Sequence, residues 1–179
     1  MRRKAVDAEL RLPPDYFAFF DLPRNLAIDL KDLEKRFYAL SRKWHPDVFA
    51  RKSPEEREAA LESSAILNDA YRTLKEPIAR TMYLLKTEGF DVGQQSNKDV
   101  PPELLEEIFE LNMELEESPD TVADRFFEMR TAVDTEMQQK FAEWDAAHDR
   151  ATLSELRGLL NRRKYITNLI EKANVPDRV

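Results

Sequence analysis

The sequence predicts an all-α protein: an antiparallel helical hairpin with a further helix behind it, then a three-helix bundle. Three observations carry this. Only 3 of 179 residues are Gly, the residue that the tight hairpin turns of a sheet demand. Glu, Leu, Ala, Lys and Arg are abundant, and these suit helices. Apolar residues recur at steps of three and four rather than two. The length allows one or two small domains with cores of their own.

The basic start, Met1-Arg2-Arg3-Lys4, is followed by Asp7 and Glu9 and by no apolar core. Residues 1–13 therefore read as a frayed lead and not as a signal peptide. A first domain is expected over residues 14–88. Asp15 to Phe20 reads as a short apolar turn of helix after Pro13-Pro14. Asp29 caps a helix whose Leu33, Phe37, Leu40 and Trp44 make one buried stripe. That helix must stop near His45, because Pro46 cannot continue it and restricts the residue before it. Ser53-Pro54-Glu55-Glu56 restarts a helix with a capping box and a proline in its first turn. Leu67, Ala70, Tyr71 and Leu74 are its buried stripe. Pro77 opens another helix, through Met82 and Leu85, ending at Gly89.

Residues 89–100 hold two of the three glycines and read as a linker. The bundle follows over residues 101–175. Pro101-Pro102 starts a helix to about Glu117. Ser118-Pro119 caps a long one carrying Val122, Phe126, Met129, Val133, Met137 and Trp144. Thr152 and Glu155 suggest a capping box for a last helix to about Ala173. Short connections between three helices imply antiparallel neighbours.

Composition excludes several functions. The net charge of −7 argues against a fold-wide nucleic-acid surface, which needs clustered cations. No cysteine is present, which removes disulfides, thiolate nucleophiles and thiolate metal ligands. There is no run of about 18 apolar residues, so no membrane span is expected. The two histidines, His45 and His148, lie far apart, with no His-Glu-x-x-His pattern and no phosphate-cradling Gly-rich loop. Asp145 and Asp149 beside His148 read as turn and surface residues. Carboxylates occur at solvated helix spacing, so no enzyme, cofactor or metal is expected.

His45-Pro46-Asp47 is the one compact motif. It has a bland reading, a helix stop with no partner. Its context argues for more. It joins two helices whose apolar stripes face each other, and the first of these carries Lys35, Arg36, Arg42 and Lys43 off its buried stripe. The second carries Leu67-x-x-Ala70-Tyr71-x-x-Leu74. Together these features resemble the J-domain family. The resemblance implies that the basic helix face meets an acidic surface on a DnaK-type ATPase chaperone. His45, Pro46 and Asp47 would then signal for ATP hydrolysis and client capture, with Lys35, Arg36, Arg42 and Lys43 as electrostatic contacts. Many J domains place Lys directly after the motif; here Val48 stands there, with Arg51 and Lys52 nearby.

Two blocks are similar to HscB-type co-chaperones in particular. One is Asp15-Tyr16-Phe17-Ala18-Phe19-Phe20-Asp21-Leu22-Pro23. The other is Pro77-Ile78-Ala79-Arg80-Thr81-Met82-Tyr83-Leu84-Leu85, followed by Gly89-Phe90-Asp91. The resemblance implies a J domain and a C-terminal three-helix bundle in an L-shaped arrangement. It implies two partners, an HscA-like chaperone and an IscU-like scaffold on which iron–sulfur clusters are assembled. The zinc-binding extension of some members needs paired Cys-x-x-Cys motifs, which this chain lacks. A bacterial, cytoplasmic type is therefore expected over a mitochondrial one, and a monomer over a dimer.

The bundle's first helix offers a physical argument for a client surface. At 100° per residue, Leu104, Ile108, Leu111 and Leu115 fall within about 60° and make a core stripe. Leu105, Phe109 and Met113 make a second stripe, roughly 100° to 180° from Leu104. Such a stripe is covered either by packing within the chain or by a partner. On the last helix, Leu156, Leu159, Leu160, Ile166 and Ile170 point one way, and Tyr165 points away from them. By position, Leu105, Phe109, Glu110, Met113, Glu117 and Tyr165 match the family's scaffold-binding face, although Met113 falls where the family can show a carboxylate. Two other readings remain at this stage: a J-domain protein with a different client, and a structural helical adaptor.

Overall fold

The computed structural model describes residues 15–92, 102–114 and 119–172. These form eight helices, with no strand among the described residues: α1 (Tyr16–Phe19), α2 (Leu30–Lys43), α3 (Pro46–Phe49), α4 (Pro54–Lys75), α5 (Pro77–Thr87), α6 (Pro102–Glu114), α7 (Pro119–Ala147) and α8 (Arg150–Lys172). The chain divides into two compact units, Met1–Leu84 and Leu85–Val179. The lead at 1–13, most of the linker at 89–100, Leu115 and Glu117 lie outside the described residues.

In the first unit α2 and α4 pack on each other, with α1 and α3 against α4. Asp29 starts α2: its carboxylate accepts from the Lys31 and Asp32 N–H groups at 2.8 and 3.3 Å, satisfying donors that a helix start leaves unpaired. The α2 stripe is as the period predicts, with Leu33 and Trp44 buried. Phe37 and Leu40 are half-buried, and the Phe37 ring stacks on Tyr71 of α4, 4.2 Å between centroids. Ala60, Leu67, Ala70 and Leu74 close the core from α4, and Phe17, Phe20 and Leu26 from the N-terminal side. Each buried side chain of this size contributes about 1.5–3 kcal/mol. The capping box forms: the Glu56 N–H donates to Ser53 Oγ and the Ser53 N–H to Glu56 Oε2, at 3.2 and 3.0 Å.

A polar clasp ties α1 to the helices behind it. The Tyr16 and Tyr83 rings stack, 4.4 Å apart and 1° from parallel. Tyr16 Oη donates to Asp69 at 2.5 Å, and the Tyr16 N–H donates to Tyr83 Oη at 2.9 Å. On α5, Thr81, Leu84 and Leu85 are buried and Met82 is exposed.

In the second unit, α7 and α8 form the longest pairing. Val122, Phe126, Val133, Met137, Phe141 and Trp144 are buried on α7. Leu153, Leu156, Leu159, Leu160, Ile166 and Ile170 are buried on α8. Two ion pairs bridge the helices, Lys140 to Glu155 at 2.6 Å and Arg163 to Asp134 at 2.6 Å. They correct the expected capping box: α8 begins at Arg150, so Thr152 lies inside it and is buried. Glu155 faces Lys140 on α7 rather than a helix start, because the connection is only His148-Asp149. His148 makes the turn with φ 50°, its ring lying 4.9 Å from Trp144.

Candidate functional site

Chain geometry explains how His45, Pro46 and Asp47 reach solvent. α2 closes with the Trp44 N–H donating to the Leu40 carbonyl at 3.0 Å. The buried Trp44 ring stacks on Phe49, 6.2 Å away. This anchors both ends of the motif from below. His45, ahead of a proline, is extended (φ −63°, ψ 133°), as a residue before proline must be. Pro46 then starts α3 at the one position where a missing N–H costs nothing. The motif is thus not an open turn, as its sequence suggests, but the start of a one-turn helix. His45 caps that helix: its Nδ1 accepts from the Asp47 N–H at 3.3 Å and lies 3.4 Å from Asp47 Oδ2. The His45 and Asp47 side chains are 55% and 90% exposed.

The four cations named from sequence divide. Lys35, Arg42 and Lys43 are exposed on α2, Lys43 with its ammonium 5.1 Å from the centre of the Trp44 ring. Arg36 is turned into its own domain. Its Nε donates to Asp32 at 2.7 Å, and its Nη1 to the carbonyls of Phe20 and Asp21 at 3.0 and 2.8 Å. The Asp32 carboxylate, foremost, holds its pKa above the ordinary guanidinium value. Asp21 needs this support, since its φ of 52° is a left-handed conformation costly for a residue with a Cβ. The guanidinium thereby pins the turn after α1. Tyr38 belongs to no motif or stripe in the sequence. It is 56% exposed, and with Lys35, Ser41 and Arg42 it lines a shallow groove of about 400 Å³.

The second face lies on α6. Ile108 and Leu111 are buried, and Arg125 of α7 approaches Glu107 and Glu114 at 3.7 and 3.8 Å. With that side turned inward, Phe109 and Met113 are 68% and 67% exposed and Leu105 37%. Glu106 and Glu110 are exposed beside them. Glu117 lies outside the described residues. Tyr165 departs from its expected outward position: it is half-buried and packs with Met129 and Leu169 around Ile108. Its ring supports the α6 platform from beneath. Phe109 and Met113, roughly 100° to 160° around the helix axis from Ile108 and Leu111, are held out by the helix geometry itself.

Among the described residues no helix is long and apolar enough to cross a membrane.

The two units match two known families. Residues 15–83 match the DnaJ domain, and residues 100–174 match the HSCB C-terminal oligomerisation domain. Over 158 residues, 88% of this chain, the sequence is 30% identical to the iron–sulfur cluster co-chaperone protein HscB of Homo sapiens and 29% identical to that of Mus musculus. The chain spans about two thirds of those relatives, 66% and 67% of their lengths. Among solved structures it resembles the crystal structure of human co-chaperone protein HscB, with a TM-score of 0.69 and 28% identity. That match covers 91% of this chain and 83% of the human one. It also resembles the chaperone HscB from Vibrio cholerae, with a TM-score of 0.62 and 29% identity over 89% of this chain and 95% of that one.

Proposed function

This chain belongs to the HscB family of iron–sulfur cluster co-chaperones, and from that premise we propose how its two faces divide the work. The first unit docks on an HscA/DnaK-type ATPase chaperone through the exposed side of α2, with Lys35, Arg42 and Lys43 steering the encounter and His45, Pro46 and Asp47 delivering the signal for ATP hydrolysis. The second unit carries the client, an IscU-like iron–sulfur scaffold, on the stripe of Leu105, Phe109 and Met113 with Glu110 at its margin. Glu117 belongs to the same face by sequence position. The chain works as a cytoplasmic monomer of the bacterial type, and its product is a client handed to the chaperone rather than a chemical change.

One observation carries the reading: a single chain exposes both a His-Pro-Asp motif at the end of a cationic helix and an apolar stripe on a separate domain. Clustered cations raise association rates and fix orientation even where each pair is individually weak. An exposed Phe and Met between carboxylates have the composition of an interface core with a polar rim. Arg36 and Tyr165 act at one remove, Arg36 by pinning the α1 turn against α2 and Tyr165 by backing Ile108.

The test is ATPase stimulation. Wild type is expected to raise the steady-state ATPase rate of a purified HscA/DnaK-type chaperone, and His45→Gln to abolish the increase while melting at the wild-type temperature. Equal stimulation by both proteins would remove the motif from the mechanism.

A further inference from the structure

Placed at 100° per residue, Lys31, Lys35, Tyr38 and Arg42 fall within about 60° of one another on α2. The buried stripe of Leu33, Phe37, Leu40 and Trp44 is centred roughly 200° away from them. Tyr38 therefore stands on the helix face opposite the core. Among the described residues its aromatic neighbour is the adjacent Phe37, 5.5 Å away and tilted by 59°. A tyrosine held there contributes little to the fold. Among the described residues neither Lys35 nor Arg42 forms an ion pair, and both line the groove in which the Tyr38 ring lies.

We infer that Tyr38 is the aromatic anchor of the chaperone-docking face, the residue that sets the strength of docking, while Lys31, Lys35 and Arg42 around it pair with carboxylates of the ATPase chaperone. The inference rests on the docking reading given above and adds to it the source of short-range affinity. Charge on a solvated face brings partners together and orients them, but screening and desolvation leave it weak once contact is made. A rigid ring covered on contact supplies what the cations lack, and Tyr with Arg is the pairing most enriched where interfaces hold their binding energy. Complementary charge identifies the occupant: three cations that form no ion pair among the described residues, around one ring, fit an acidic surface with an apolar spot at its centre.

The experiment titrates the full chain into a purified DnaK-type chaperone and reads steady-state ATPase against co-chaperone concentration, for wild type, Tyr38→Ala and Tyr38→Phe. Tyr38→Ala is expected to raise the half-saturating concentration about tenfold, the usual size of a central interface aromatic, with the same maximal stimulation and the same melting temperature. Tyr38→Phe, which keeps the ring, is expected to stay within about twofold of wild type. An unchanged half-saturating concentration in Tyr38→Ala overturns the inference while the docking reading stands. A lowered melting temperature with a lowered maximum overturns it too, by making the ring part of the fold. If wild type itself gives no stimulation, the docking reading fails and takes the inference with it.

Discussion

Phe109 is where stability and binding separate most cleanly. A phenylalanine side chain has about 200 Å² of apolar surface to bury. At 68% exposure, the fold covers only the remaining third. At about 25 cal/mol per Å², that third is worth about 1.5 kcal/mol to the fold, and the exposed part offers a partner up to about 3 kcal/mol. Phe109→Ala also gains helix propensity in α6, about 0.5 kcal/mol, which offsets part of the loss. The net cost to folding is therefore near 1 kcal/mol, a shift of a few degrees in Tm. The cost to scaffold binding is about 2–3 kcal/mol, a weakening of roughly 30- to 150-fold in Kd. The assay is calorimetric titration against an IscU-like scaffold protein, with melting followed by circular dichroism on the same samples. Unchanged affinity would refute the assignment of the α6 stripe to the client. A collapse in melting temperature would refute the surface position itself.

Two predictions concern the first unit, alongside the His45 and Tyr38 experiments. Arg36→Leu leaves the carbonyls of Phe20 and Asp21 without their donor and is expected to lower Tm by a few degrees. The half-saturating concentration for ATPase stimulation should not change; a variant that melts like wild type but docks weakly would restore Arg36 to the docking face. The Tyr16 clasp predicts a weakness in alkali. Its hydrogen bond to Asp69, before all else, pushes the Tyr16 pKa up to about 12 from 10.0, so the unfolded chain releases this proton first. Stability linked to Tyr16 is whole below pH 10 and is lost as pH rises from 10 towards 12. Tyr16→Phe should melt at a lower temperature near neutrality and show a shallower decline over that interval. An equally steep decline in both proteins, read by denaturant unfolding across the range, would assign the alkaline loss to other groups.

Much of the architecture is written in short-range signals. The Asp29 and Ser53 caps, the Leu33–Trp44 stripe and the proline that ends α2 each act within one or two turns of helix, so their physics is complete within a few residues of sequence. The all-α class and the family resemblance were legible for that reason. Periodicity of 3.6 residues likewise separates the stripe of Leu105, Phe109 and Met113 from Ile108 and Leu111, but it leaves open whether the chain covers that stripe; the fold leaves Phe109 and Met113 exposed.

What sequence could not determine depends on partners brought from elsewhere in the chain. Arg36 lies off the buried stripe and reads as a free cation; only the fold brings the Phe20 and Asp21 carbonyls, some fifteen positions earlier, within its reach. Thr152 and Glu155 have capping-box spacing, yet Lys140 on the neighbouring helix claims Glu155, and α8 starts before either. Tyr165 points away from the main α8 stripe, but α6 covers it through Ile108. Helical period and caps are local, and the sequence determined them by itself. Whether a polar or aromatic side chain outside the main stripe meets solvent or a neighbouring segment is set by tertiary packing, and here that packing decided which residues remain free for a partner.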